Sequence, residues 1–212
     1  MQDATTNNIP SDNCLSVKIF EKARKLFFSI GIRNTTMDEL AKEIGISKKT
    51  LYKEFQNKAD IVHFCVEHEL KNEDIALQEI FLKTDNAIEE LLFTAERIHA
   101  ELKQFHPSIT QDLMKFYPES WALIEHHRDI TAKANIVDNL KKGIKQGLYR
   151  KNINVEMVAM LQLHLSFFPF HFDGKTLQPS EIYAEILRYN LFAIATPTGI
   201  EQFEKFIKKI NL

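Results

Sequence analysis

Residues 36–58 read Thr36-Met37-Asp38-Glu39-Leu40-Ala41-Lys42-Glu43-Ile44-Gly45-Ile46-Ser47-Lys48-Lys49-Thr50-Leu51-Tyr52-Lys53-Glu54-Phe55-Gln56-Asn57-Lys58. They hold two short amphipathic helical patterns on either side of a glycine. Met37, Leu40, Ala41 and Ile44 recur at i, i+3, i+4 and i+7, the spacing of one buried helix face. Thr36, with Glu39 three residues on, makes a capping box at its start. Gly45 tolerates the positive φ that ends a helix. Ser47 then caps a second helix, on which Leu51 and Phe55 form an inward i, i+4 pair while Lys48, Lys49, Tyr52 and Lys53 face elsewhere. A short helix, a turn of about four residues and a second helix with a cationic outer face is the helix-turn-helix plan for the DNA major groove.

Outward from this stretch the pattern stays helical. Upstream, Val17, Phe20, Ala23, Leu26, Phe27 and Ile30 mark a helix that Gly31 ends. Downstream, Asn57 is a good N-cap for a fourth helix starting at Lys58. No Pro or Gly occurs between Gly45 and Pro107, so this helix is expected to run directly into the rest of the chain. Thr84-Asp85-Asn86 breaks it, and another helix follows to Leu102. Ser108 with Gln111 is expected to cap a short helix to Tyr117, and a long one runs from about Glu119 to Gln146, closed by Gly147. Two more span about Val155–Phe168 and Ser180–Ala195, separated by Pro169 and an Asp173-Gly174 turn. Thr198 with Glu201 is expected to cap the last, to about Ile210. No strand run is present. The expected class is therefore all-α with about ten helices: a polar, disordered arm at 1–13, a three-helix head at 14–60 and a larger helical body at 61–212.

Composition narrows the function. The 212 residues are 44% hydrophobic and 26% charged, with only 6 Gly and 6 Pro, an ordinary globular mix that favours helices. The net charge of -2 hides an asymmetry. From Leu15 to Asp60 ten basic residues face six acidic ones, an excess of +4, which leaves about -6 on the remainder. A basic head on an acidic body suits a nucleic-acid module joined to something else. Cys14 and Cys65 cannot build a disulfide framework, and no signal-peptide pattern or apolar run of about 18 residues is seen. A cytoplasmic protein with no membrane partner is the expectation. There is no phosphate-cradling Gly-rich loop, nucleophile elbow or His-Glu-x-x-His, so no enzyme, catalytic residue or cofactor is expected. His126 and His127 are adjacent and project about 100° apart on a helix, so no metal site is expected either.

Phe27, Gly31, Thr36, Leu40-Ala41, Gly45-Ile46-Ser47, Thr50-Leu51-Tyr52, Phe55, Asn57-Lys58 and Ile61-Val62 stand in an order and spacing that resembles the TetR family of bacterial transcriptional regulators. The resemblance is motif-specific over about the first quarter of the chain and architectural beyond it. It implies a homodimer on a palindromic operator in double-stranded DNA, with a body that takes a small-molecule effector. It implies backbone contacts for Tyr52 and Lys58. The residues themselves place Thr36 at a helix N-terminus that favours phosphate, and Lys48, Lys49 and Thr50 in the first turn, which reaches base edges. Lys53 and Lys42 are general phosphate attractors. Glu54 departs from the family pattern and is given no DNA contact.

The resemblance also implies a dimer sealed by the last two long helices, for which Val158, Leu161, Leu165, Ile182, Ile186 and Tyr189 are candidates. Phe93, His99, Phe116, Trp121 and His126 are candidates for the pocket of an apolar or aromatic effector, beside Phe105, Tyr117 and His127. Most of these aromatics read equally well as plain core. Two functions stay open: a repressor released from its operator by the effector, and a helical dimer that binds DNA non-specifically or keeps a vestigial DNA head on a ligand-binding body.

Overall fold

The computed structural model of the chain describes residues 14–171 and 177–208. The polar arm, the Asp173-Gly174 turn and the expected helix end at Ile210 lie outside the described residues. Within them the architecture is all-α. The elements are α1 (Cys14–Ile30), α2 (Met37–Ile44), α3 (Lys48–Glu54), α4 (Lys58–Lys83), α5 (Ala87–Leu102), α6 (Ser108–Phe116), α7 (Pro118–His127), α8 (Lys133–Lys145), α9 (Val155–Phe167), α10 (Pro179–Ile194) and α11 (Pro197–Ile207). A π-helical turn, Arg128–Ala132, joins α7 to α8 in one rod, so the long helix read from Glu119 to Gln146 is continuous. Among the described residues, no helix is long and apolar enough to cross a membrane.

The caps explain where the head's helices begin and end. Thr36 Oγ1 accepts the Glu39 N–H at 3.2 Å, and the Glu39 carboxylate accepts the Thr36 N–H at 2.8 Å. Gly45 closes α2 at φ 77, a conformation that costs a residue with a Cβ. Ser47 caps α3 through the Thr50 N–H, and Asn57 with Asp60 boxes the start of α4. Two expected caps are replaced. Ser108 is the first residue of α6 and turns its hydroxyl to His106 and Asp112 instead of capping the helix, which begins after Pro107 without a side-chain cap. At α11 Thr196, not Thr198, accepts the Gly199 N–H, because Pro197 takes the first helical position.

The head does not own a separate core. Ile19, Phe20, Ala23 and Phe27 of α1 pack with Leu40, Ile44, Leu51 and Phe55, and the same cluster continues into Val62, Phe64 and Cys65 of α4 and Ile109 and Leu113 of α6. With 26 residues, α4 is about 39 Å long and crosses from head to body without a linker. A second cluster joins Ile88, Leu92 and Ala95 of α5 to Val137 and Leu140 of α8, Ala159 of α9, Leu187 and Leu191 of α10 and Phe203 of α11. It packs closely at Gly143, where an added Cβ would run into the buried Tyr149 ring.

Candidate functional site

The helix-turn-helix places its candidate residues on one accessible surface. Lys48, Lys49, Tyr52 and Lys53 are exposed while Leu51 and Phe55 are buried. This split follows from the α3 register: one inward pair leaves the rest of the helix free. Lys48 Nζ pairs with Asp38 at 2.6 Å, and this carboxylate holds the lysine's pKa above its ordinary value. The same ammonium lies 6.0 Å from the Tyr52 ring centre. Lys49 and Lys53 lie exposed on the same short helix. Thr50 is half-buried, its hydroxyl 2.7 Å from Ser47 Oγ. Glu54 is exposed at the end of α3.

Two phosphate anchors are arranged differently from the sequence expectation. At Thr36 the α2 N-terminus is already met by Glu39, whose carboxylate is held below its usual pKa by the Thr36 backbone and side-chain hydrogen bonds. Lys58 is turned inward. Its Nζ donates to the carbonyls of Thr35 at 2.8 Å, Ile32 at 3.1 Å and Arg33 at 3.3 Å. An ammonium has three donors, and all three are engaged, so Lys58 fastens the start of α4 to the α1–α2 loop. Burial lowers its pKa.

That loop also touches the body. The Arg33 N–H donates to Asp112 Oδ2 at 3.0 Å, and the Arg33 guanidinium lies 5.3 Å from the Phe116 ring centre. Gly31, at φ 84, lets Ser108 approach so closely that an added Cβ would stand 2.6 Å from its hydroxyl. The head is thus clamped between α4 and the start of α6.

Beneath the clamp lies a cavity of about 380 Å³. Its wall combines Phe20, Arg24, Phe27, Phe28 and Ile32 from the head with Cys65, Glu69, Glu73 and Leu77 of α4, Leu91, Thr94, Ile98 and Glu101 of α5, and Phe105 beyond it. Leu113, Trp121, His127, Gln162, Tyr183 and Ile186 close the other sides. Charged groups gather at one part of the wall. Arg24 donates through Nε and Nη2 to Glu69, at 2.9 to 3.1 Å. Behind the lining, Arg97 Nη2 lies 2.7 Å from Glu73 and 3.0 Å from Glu101. Burial, and then the neighbouring Glu73, push the Glu101 carboxyl up to about 7. Elsewhere on the wall, Glu90 is neutralised by Lys142 at 2.6 Å and accepts from Asn139. Burial raises the Cys65 thiol pKa well above its ordinary value, so this cysteine is a packing residue; the side chain of Cys14 lies outside the described residues.

Of the five expected pocket residues only Trp121 lines the cavity. The cavity face of α5 runs through Leu91, Thr94, Ile98 and Glu101, which turns Phe93 to solvent and His99 to the Ser180 carbonyl at 3.0 Å. Phe116 lies outside the cavity beneath Arg33, and His126 is exposed while His127 turns inward to Asp74 at 2.8 Å. The charged residues were missed. Their signal was the i, i+4 pairs Glu69/Glu73 and Arg97/Glu101 on consecutive helices, which read equally as solvated surface.

The α9–α10 face is also mixed. Leu161 (56% exposed) and Tyr189 (71%) point outward together with Met157, Met160 and Phe192. Val158 instead packs on the body core and Ile186 lines the cavity, while Leu165 and Ile182 are half-buried. Ala159 and Leu163 define the buried side of α9, and the helical repeat then turns Val158 away from solvent.

A family model described as "Bacterial regulatory proteins, tetR family" matches residues 19–64, which span most of α1 through the first turns of α4. A helix-turn-helix-type transcriptional regulator of Staphylococcus aureus (strain USA300) is 40% identical over 53 residues, 25% of this chain and 29% of the relative, so the match spans less than a third of the relative's length. A TetR-family transcriptional regulator from Agrobacterium tumefaciens superposes with a TM-score of 0.72 at 15% identity, covering 86% of this chain and 98% of that one. The ketosteroid transcriptional regulator KstR2 of Mycobacterium tuberculosis superposes with a TM-score of 0.58 at 21% identity, over 88% and 97% of the two chains. The matched module coincides with the helix-turn-helix and its supporting helices, and the rest of the chain shares the fold of these structures: residues 19–64 form a helix-turn-helix head of the TetR type.

Proposed function

We propose that this chain is a transcriptional regulator that binds a palindromic operator as a homodimer and is released from it by a small molecule in the cavity. The head of residues 14–60 supplies the DNA contacts. Lys48, Lys49 and Thr50 meet base edges, and Tyr52, Lys53 and the α2 N-terminus at Thr36 meet the backbone. Lys58 acts by fixing the α1–α2 loop against α4. The body of residues 61–212 dimerises through the open apolar side of α9 and α10, centred on Leu161 and Tyr189.

One observation carries the reading: the cavity wall is shared. Phe20, Arg24, Phe27, Phe28 and Ile32 belong to the DNA-binding head, and the rest of the wall to the body. An occupant that fits one setting of the head better than another changes DNA affinity by that difference, with no further relay. Fold alone does not name the occupant, since neighbours at 15% and 21% identity carry no ligand over.

Selection from a pool of random duplexes tests the reading. A regulator enriches one palindrome with two half-sites and binds it with about 10³-fold or greater preference over scrambled DNA. Enrichment of no sequence, with affinity that only falls with salt, would reject it in favour of a sequence-blind binder.

A further inference from the structure

The cavity wall constrains what it can hold. Most of it is apolar, and aromatic rings from four parts of the chain line it: Phe28, Phe105, Trp121 and Tyr183. Phe28 and Phe105 meet edge to face with ring centres 5.5 Å apart. A molecule seated here is therefore largely hydrophobic.

Charge selects further. The polar part of the wall holds three carboxylates, Glu69, Glu73 and Glu101, and one guanidinium, that of Arg24; a second guanidinium, that of Arg97, pairs with Glu73 and Glu101 from outside the lining. Both guanidiniums are held by carboxylates, so an anion entering the cavity would have to break those pairs. Glu69 takes Arg24 alone, with two of its donors, and Glu73 takes Nε and Nη2 of Arg97. Glu101 has only a share of Nη2, at 3.0 Å. One negative charge on the wall thus lacks a full partner, next to rings whose faces attract cations. Arg24 already lies 4.2 Å over the Phe28 ring.

We propose that the cavity takes a lipophilic organic cation, its charge seated at Glu101 and Glu73 and its body against Phe105 and Trp121. The inference deepens the regulator reading and rests on it for its consequence. A cation at this seat competes with Arg97 for Glu73 and Glu101 and repels the nearby Arg24 guanidinium, and loosening Arg24 from Glu69 frees α1 from α4.

Two probes of one shape and opposite charge test this on the full chain: tetraphenylphosphonium and tetraphenylborate. Trp121 is the only tryptophan, so its emission reports occupancy. The expected result is a dissociation constant at least tenfold lower for the phosphonium, with the preference reduced by Glu101→Gln and Glu73→Gln in variants that melt cooperatively. Equal binding of the two probes, tighter binding of the borate, or no saturable change with either overturns the proposal. The charge comparison is made on the unaltered protein, so a variant that fails to fold does not blunt it. Phosphonium binding that leaves duplex affinity unchanged supports the site and counts against ligand-controlled DNA release. Release by both probes equally keeps the regulator reading and removes the cation.

Discussion

Arg24 on α1 and Glu69 on α4 form a two-point pair, Nε and Nη2 against both carboxylate oxygens, at 2.9 to 3.1 Å. The planar fork fixes the angle between the two helices as well as their distance. The pair is part-buried and lines the cavity, so it ties the DNA head to the long helix where an occupant would sit. Arg24→Met should leave Glu69 beside Glu73 and Glu101 with one cation fewer. We expect a stability loss of about 1–3 kcal/mol, read as a lower melting temperature. We also expect phosphonium affinity to rise about fivefold or more. Unchanged melting and unchanged probe binding would show that the pair couples nothing.

Glu101 sets a pH dependence. Its folded pKa is raised from 4.5 to about 7. A raised carboxyl contributes stability that is fully present below its unfolded pKa and is lost as pH rises through the folded one. Arg24 from α1, Glu69 and Glu73 from α4 and Arg97 from α5 surround it, and the two glutamates outweigh the arginines in direction. The melting temperature should therefore fall between about pH 5 and 8. Glu101→Gln should melt higher than the parent at pH 8 by about 1–2 kcal/mol, allowing for partial exposure, with the gap closing toward pH 5. Phosphonium affinity should move the other way and strengthen as pH rises. A gap that is constant across the range would remove Glu101 as the titrating group.

Lys49 and Lys58 should separate in salt titrations. Lys49 is exposed on α3, whereas the Lys58 donors are spent on three carbonyls. Lys49→Ala should weaken DNA binding and reduce the slope of log K against log salt by about 1, with the melting temperature unchanged. Lys58→Met leaves three carbonyls without a donor and should lower stability by about 1–3 kcal/mol, with the salt slope retained in the folded fraction. The reverse assignment, a stable Lys58→Met protein with a reduced slope, would make Lys58 a phosphate ligand.

The open side of α9 and α10 predicts a specific pattern of monomers. Leu161→Glu combined with Tyr189→Glu should shift sedimentation from dimer to monomer while the helical signal is kept, because both side chains face solvent in the single chain. Val158→Ala should leave the dimer intact and lower stability instead, since Val158 packs inward. A dimer that survives both charges would place the interface elsewhere.

The head was legible because its signals are local. Thr36-Glu39, Gly45, Ser47 and Asn57 each act within one turn of the chain, and each appears in the structure at the position read. The register of Leu51 and Phe55 likewise settled which face of α3 stays free. The body was legible as helices but not as a site. Phe93 and His99 share α5 with Glu101, and only the packing of α4 and α10 around that helix decides which face meets the cavity. The inward setting of Lys58 was not legible for a similar reason: its partners are carbonyls 23 to 26 residues away in the chain, and no periodicity encodes them. Ser108 and Thr198 were read as caps where Pro107 and Pro197 set the helix starts instead.

If the DNA face and the cavity belong to one equilibrium, Trp121 reports it without any knowledge of the ligand. The measurement is a titration of the full chain with its selected palindromic duplex, following Trp121 emission and DNA anisotropy together. The expected result is a saturable change in Trp121 emission with the same midpoint as the anisotropy, and loss of both in Tyr52→Ala. Anisotropy that saturates while Trp121 emission and its quenching by acrylamide stay constant would contradict it.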